Sequence, residues 1–281
     1  MSNRIVEFFT ITINQPETDW RDVVTTQNCS YLAKKCVKTR KSAPEISIGT
    51  CTVEYGAKES QKVIICPHRL LERNQVFIDC IHLLTLHEPG NELHKISEVS
   101  VPGGSVDYVL ASVRNGKVID FVGIELQALD TTGTLWNERQ SFLNSVGVEN
   151  IEETAKAKPY GMNWKMTAKT ILVQLHHKAE TFELISKHLV LVLQDCLFGY
   201  MQREFQFNHV TNARLGDSIQ FHVYSLKNLP NQLRLGLTKR KSTDAKGIAT
   251  SLGLQASPKV ELEEIISVLQ AKISDKTLIT L

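Results

Sequence analysis

The feature that most constrains the fold is an Asn115-Gly116 pair between two apolar runs, VDYVLASV before it and VIDFVGIELQAL after it. Asn-Gly is favoured in two-residue turns between antiparallel strands, because both turn positions need positive φ. The sequence therefore predicts a β-hairpin. An ideal turn of this kind places Asp107 opposite Ile124, and a stagger of one position puts Asp107 next to Glu125.

The second run contains FVGIELQALD, residues 121–130, in which Glu125 and Gln127 interrupt an otherwise apolar strand. Alternate side chains of a strand share a face, so these two polar groups lie on the same side. Two carboxylates on adjacent strands repel each other unless a cation lies between them. A hard divalent ion such as Mg²⁺ takes carboxylate oxygens, a backbone carbonyl and waters. The pattern favours Asp107 and Glu125 as Mg²⁺ ligands, with the carbonyl of Leu126 as a third.

Gln127 has a different expected role. An amide is not a strong general base, so this side chain would help to place a water molecule. A simpler interpretation involves no chemistry: Glu125 and Gln127 lie on the solvated face of an edge strand, and Asp107 flanks a turn. The residue pattern by itself leaves both interpretations open.

Apolar runs typical of strands alternate with helical stripes along the rest of the chain. Strands are predicted in segments 48–56, 62–71, 167–175, 187–194 and 218–227, and helices in 71–87, 131–146, 176–185, 195–205 and 260–274. Strands that alternate with helices, together with one hairpin, predict an α/β fold with a mixed β-sheet flanked by helices.

Composition narrows the class of protein. The chain has 281 residues, 42% hydrophobic and 22% charged, with a net charge of +2. This fits a folded protein of one large or two modest domains, and the charge is too mild to demand an anionic partner. No apolar run approaches the roughly 18 residues that span a bilayer, and no signal-peptide core forms. We expect a cytoplasmic protein without a membrane partner, in which disulfides are disfavoured.

Two segments carry a resemblance to a known family: VPGGSVDYVLAS, residues 101–112, and DFVGIELQALDTTGTLW, residues 120–136. They resemble the catalytic core of the PD-(D/E)xK nucleases in the form found in NotI-type restriction endonucleases, with a Gln in place of the usual Lys. The upstream ICPHRLLE is also similar, so the resemblance covers roughly residues 25–140. It implies a nuclease core with Asp107, Glu125 and Gln127 as its catalytic residues.

The resemblance also implies an activity and partners. We expect a Mg²⁺-dependent type II restriction endonuclease of bacterial origin that cuts double-stranded DNA, most simply as a homodimer. Two alternatives stay open, a metal-dependent repair or recombination nuclease and a non-catalytic DNA-binding protein with a structural metal clip. The recognition sequence and the residues that read bases are not predicted.

NotI-type enzymes carry a small cysteine-ligated metal site, and the resemblance implies one here that holds iron or zinc. Five of the six cysteines lie in the first third of the chain, and no CxxC pair is present. Cys80 is an alternative ligand, although its place on an apolar stripe favours a packed core thiol, and Cys196 is expected in the core. The four favoured ligands, each in a polar or β-turn context, are Cys29, Cys36, Cys51 and Cys66. We therefore expect an N-terminal metal-binding region over 1–70 and a nuclease core over 71–281, with one continuous domain as the alternative.

Four other residues and one basic segment are further candidates. His176 and His177 follow a predicted strand, where exposed histidines are common. Glu98 could extend the acidic cluster, and Asp130 could cap the helix that follows it. The basic segment 237–247 is predicted as a loop that either contacts phosphates or forms a solvated surface.

Overall fold

The computed structural model describes residues 4–56, 60–148, 160–254, 266–267 and 270–271. Within these ranges the protein has a mixed α/β fold with six α-helices. The strands, in chain order, are β1 (Ile5–Phe8), β2 (Ile11–Thr12), β3 (Asn28–Cys29), β4 (Lys34–Lys35), β5 (Thr39–Arg40), β6 (Ala43–Ser47), β7 (Thr50–Tyr55), β8 (Gln61–Ile64), β9 (Glu92–Val101), β10 (Gly104–Arg114), β11 (Lys117–Gln127), β12 (Thr131–Thr132), β13 (Gly161–Met162), β14 (His188–Gln194), β15 (Thr211–Asn212), β16 (Ile219–Leu229) and β17 (Gln232–Thr243). The helices are α1 (Trp20–Thr26), α2 (Gln75–Ile78), α3 (Trp136–Ser145), α4 (Trp164–Leu184), α5 (Asp195–Glu204) and α6 (Ala245–Ser251), and 3₁₀ turns span Pro67–Asn74 and Ile81–Leu83.

A seven-stranded mixed sheet forms the centre of the described chain, in the order β15-β17-β16-β14-β11-β10-β9. Its middle strands β11, β14 and β16 are parallel, and the outer strands pair antiparallel. Parallel neighbours need a crossover connection, which α4 provides before β14 and α5 provides before β16. The predicted α/β fold with a mixed sheet flanked by helices is confirmed at this level.

The two faces of the sheet contribute to two separate apolar clusters. Along β14, Leu189, Leu191 and Leu193 belong to one cluster, while Val190 and Val192 belong to the other. This alternation is the two-residue period of a strand, and burial on both faces explains why β14 is an unbroken apolar run. The first cluster includes side chains of α4 and α5.

The predicted hairpin consists of β10 and β11. Near the turn, the strands pair as an ideal two-residue turn requires, and the register then shifts by one position at a β-bulge around Ile119. Tyr108 consequently pairs with Ile124, so Asp107 comes opposite Glu125. A bulge adds one residue to one strand and re-aims the side chains beyond it, which produces here the stagger considered from the sequence.

Helix α4 approaches the hairpin closely at two glycines. Gly103, in the β9–β10 turn, has φ of +90°, and a Cβ there would lie 2.1 Å from the carbonyl oxygen of His177. At Gly123, a Cβ would lie 2.7 Å from Cζ of Phe182. Larger residues at either position would push α4 away, so both glycines let this helix pack directly against the strands that carry Asp107 and Glu125.

The strand predicted over 167–175 is wrong, because this segment lies inside α4. Its buried residues recur every three or four positions, as on the packed face of a helix: Thr167, Ala168, Ile171, Leu172 and Leu175. His176 and His177 therefore lie in the middle of a helix and do not follow a strand. Among the described residues, neither α4 nor any other helix has the length and apolarity to cross a membrane.

The single helix predicted over 71–87 is also wrong. Arg73 and Asn74 have positive φ values of 54° and 55°, a left-handed conformation that interrupts a right-handed helix. Short turns and α2 replace the helix. The predicted basic loop 237–247 is mostly strand β17 and the start of α6, and the predicted helix 260–274 lies almost wholly outside the described residues.

A buried ionic network connects the N-terminal sheet to the rest of the protein. Arg69 is 0% exposed, and its guanidinium contacts the carboxylates of Glu7 and Glu72 at 2.8 Å each. It also donates to the carbonyl of Leu233 in β17 at 3.1 Å. Thr52 donates a second hydrogen bond to Glu7. The network joins residues on both sides of the predicted boundary between residues 70 and 71. The division into two domains stays a prediction.

Candidate active site

Asp107 and Glu125 lie side by side on the paired strands β10 and β11, near the carboxyl end of β11. The carboxylate of Asp107 accepts a hydrogen bond from the backbone N–H of Leu126 at 2.8 Å. In return, the backbone of Asp107 hydrogen-bonds the carboxylate of Glu125. Each acid is therefore held by the main chain next to the other acid.

Glu125 is buried, with 5% of its surface exposed. Burial raises the pKa of this carboxyl group to about 7, and the nearby charge of Asp107 acts in the same direction. A hydrogen bond from the ammonium of Lys178 opposes the rise. A buried carboxylate beside a like charge is stable only with a cation close by, and the structure provides one in Lys178.

Lys178 is the residue at this site that the sequence analysis missed. It lies on α4, is buried, and forms an ion pair with Glu125. The missed signal is a lysine on the apolar stripe of a helix, at the spacing of Leu175 and Phe182, both of which are buried. The strand predicted over 167–175 conceals that stripe, because a strand places alternate residues, and not every third or fourth, on one face.

Asp107 is exposed and lines a cavity of about 390 Å³. Glu98 lines the same cavity from β9, at a position with a positive φ of 55°, which is uncommon for a non-glycine residue within a strand. Lys34 and His68 also line this cavity. The structure thus brings Glu98, an extra acid considered from the sequence, into the cavity of Asp107.

Gln127 lies two residues beyond Glu125 on β11 and is partly exposed. Its amide nitrogen donates to the carbonyl of Ala128 at 2.5 Å. Because that bond uses the amide nitrogen, the amide oxygen can still accept a hydrogen bond from water or substrate.

The four favoured cysteines line one small cavity beside the acidic one. Its volume is about 10 Å³, roughly the space of one water-sized sphere. Leu32, Val37 and His68 form a wall common to this cavity and the cavity of Asp107. The cysteines that meet here are Cys29, Cys36, Cys51 and Cys66.

The thiols of this cluster interact with one another. A hydrogen bond with Cys51 lowers the pKa of Cys66 to about 6, and the same bond raises the pKa of Cys51. Burial raises the pKa of Cys29 and of Cys36. The lowered pKa favours the thiolate form of Cys66, which is the form that binds metals. All six cysteines lie within the described ranges and are free thiols.

A comparison with protein families decides the assignment. The family described as "Restriction endonuclease NotI" matches residues 33–231, well over half of the chain. The chain belongs to the NotI restriction endonuclease family. This match contains Asp107, Glu125, Gln127 and Lys178 and extends into the C-terminal half, beyond the resemblance noted in the sequence. A search of curated proteins finds no significant match.

The donor atoms at the two candidate sites suit the metals that the family resemblance implies. Carboxylate oxygens suit Mg²⁺, and four thiols suit iron or zinc. As the side chains stand, no three His, Cys, Asp or Glu residues in the described part of the chain are arranged to hold one ion. Lys178 is the cation that contacts the carboxylate of Glu125 in this arrangement.

The remaining candidates lie away from this site. Asp130 accepts a hydrogen bond from the hydroxyl of Thr167 in the first turn of α4. The N-cap of α3, the helix that follows Asp130, is Leu135, so the predicted capping role of Asp130 is wrong. Cys80 is fully buried beside His222, with the sulfur 3.7 Å from Nδ1, as expected for a core thiol. Cys196 is partly buried against the core.

Proposed function

We propose that this member of the NotI family is a type II restriction endonuclease that hydrolyses phosphodiester bonds at a specific site in double-stranded DNA. The observation that carries the proposal is the position of Asp107 next to Glu125 on adjacent strands, within a chain that belongs to a restriction endonuclease family. We further propose that β9, β10, β11 and β14 with α4 form a PD-(D/E)xK core of the E-x-Q variant.

Asp107 and Glu125 would hold a divalent ion, Mg²⁺, with the carbonyl of Leu126 as a third ligand. When bound, such an ion polarises a phosphoryl group and lowers the pKa of a bound water. Asp107 is suited to the solvent side of the site because it is exposed in the cavity. Glu125 is suited to the inner side because it is buried and the backbone of Asp107 holds its carboxylate. Gln127 would orient a water through its amide oxygen.

DNA and a second copy of the chain are the proposed partners. A palindromic site is cut on both strands most simply by a two-fold symmetric dimer. Exposed basic residues on β17, Lys239 and Arg240, are candidates for phosphate contacts of the kind that supply non-specific affinity. The proposed location is the bacterial cytoplasm, and the proposed organisation is an N-terminal metal-binding region over 1–70 followed by the nuclease core.

Incubation with plasmid and phage DNA tests this proposal. We expect discrete fragments in the presence of Mg²⁺ and none with excess chelator, because cleavage at a specific site gives a fixed set of lengths. A smear, or cleavage confined to damaged or branched substrates, would favour a repair nuclease. DNA binding without cleavage in Mg²⁺ would favour a non-catalytic protein.

We also propose that the thiols of Cys29, Cys36, Cys51 and Cys66 bind structural iron or zinc. Purified protein is then expected to contain about one equivalent of metal, and removing one ligand to lower both the metal content and the unfolding temperature. Elemental analysis of Cys51→Ser measures this, with Cys196→Ser as the control that retains metal. Cys80→Ser separates the alternative ligand from the favoured four. A folded wild-type protein with less than about half an equivalent would contradict the proposal.

A further inference from the structure

Lys178 is a buried cation to which the proposed chemistry gives no role. Its side chain is 6% exposed and that of Glu125 is 7% exposed, and its ammonium donates to Oε1 of the carboxylate. Taking two charges out of water is costly, and an ion pair of this kind persists only with good geometry and further hydrogen bonds. The further bond at Glu125 comes from the backbone of Asp107.

Close packing of the β9–β10 turn against α4 holds the ammonium of Lys178 next to Glu125. The β9–β10 turn presses on α4 at Gly103, beside His177, and a Cβ on Gly104 would lie 3.3 Å from Cε of Lys178. The turn that leads into Asp107 therefore covers the lysine stem. Within this enclosure the ammonium has little freedom to turn toward solvent, and Glu125 is its anionic partner.

An ion bound by Glu125 would need the carboxylate that Lys178 now contacts through Oε1. It would also bring two positive charges next to an ammonium in a site of low dielectric, where like charges repel strongly. The ammonium and the divalent ion therefore compete for the same carboxylate.

We propose that Lys178 is a resident cation of the active site, whose ammonium holds Glu125 while the metal is absent and gives way when a divalent ion binds. The inference rests on the proposed function, because it requires Glu125 to be a metal ligand. It adds that Lys178 raises the dissociation constant of the divalent ion from the enzyme without DNA. Lys178 is in this sense a positioning residue that acts through Glu125.

The test is Ca²⁺ binding to the full chain without DNA, measured by calorimetry at one fixed pH. In Lys178→Met and Lys178→Gln the competing charge is gone, so we expect the dissociation constant to fall by about tenfold or more, the effect of one adjacent charge. Lys178→Arg keeps the charge and should bind Ca²⁺ as the wild type does. Lys169→Met removes an exposed lysine of the same helix and serves as the matched control. The Mg²⁺ concentration that gives half-maximal cleavage should shift in the same direction.

Unchanged or weaker Ca²⁺ binding in both neutral variants would overturn the inference, since a purely structural lysine predicts that result. Failure of both to fold would overturn it too, because the ammonium would then serve the fold and not the metal. Glu125→Gln identifies the site: it should lose the Ca²⁺ that the wild type binds. A wild type that neither binds Ca²⁺ through Glu125 nor cleaves DNA would contradict the proposed function itself. A wild type that does both, while Lys178→Met binds Ca²⁺ like Lys169→Met, would contradict only the inference about Lys178.

Discussion

Replacing Asp107 by asparagine is expected to abolish DNA cleavage and leave DNA binding intact. Asparagine keeps an oxygen that can accept the N–H of Leu126, so the local structure should persist. The lost negative charge removes one metal ligand, and stabilisation by a metal is worth several kcal/mol, which corresponds to at least about a thousandfold in rate. Binding to DNA should hold or strengthen, because an acid near the phosphates repels them.

The measurement is a cleavage time course beside a gel-shift titration, both with the same duplex. Asp22→Asn, at an exposed acid of α1, is the control for a simple loss of charge. Glu125→Gln should give the same loss of cleavage, and combining it with Lys178→Met avoids leaving a buried ammonium without its anion. Cleavage by Asp107→Asn at the wild-type rate would show that Asp107 is not a catalytic residue.

Arg69→Met is expected to lower the free energy of unfolding by about 3–5 kcal/mol, the usual result of removing one member of a buried ion pair. Glu7, 1% exposed, would keep its charge without the guanidinium 2.8 Å away and would retain the hydroxyl of Thr52 as a partner. Denaturation in urea measures the change.

Arg114→Met is the matched control, because its ion pair with Glu88 has a similar length of 3.0 Å but is 60% and 68% exposed. Exposed pairs contribute about 0–1 kcal/mol. The double variant Arg69→Met with Glu7→Gln should recover part of the loss, since the neutral amide costs less to bury. If Arg69→Met and Arg114→Met lower the free energy of unfolding equally, burial does not determine how much the ion pairs of Arg69 contribute to stability.

Local sequence signals predict much of this fold. The Asn115-Gly116 turn predicts the hairpin, and the unbroken apolar run of β14 predicts a strand buried on both faces. These features depend on residues close in sequence, where turn chemistry and periodicity act directly. An ideal turn alone places Asp107 opposite Ile124, and only a shift of one position places it beside Glu125. The bulge at Ile119 that causes this shift leaves no signal in the residue pattern.

Features that depend on tertiary packing could not be predicted in this way. Segment 167–175 is rich in β-branched residues, yet its packing against the sheet makes it a helix, an override of local propensity. The contact between Lys178 and Glu125 joins residues 53 positions apart. Local context predicts the four cysteines one by one, whereas their meeting in one cavity follows from the strands and loops that carry them.

The parallel arrangement of β11 and β14 has a consequence for the order of assembly. The hairpin joins neighbouring residues and closes only a small loop, whereas β14 can be added only after the chain has passed through α4. Pairings between distant residues form slowly because loop closure must come first. We therefore expect the two acids to meet early during folding and the lysine to reach them late, so that a chain caught midway has its carboxylates in place without the helix that completes their surroundings.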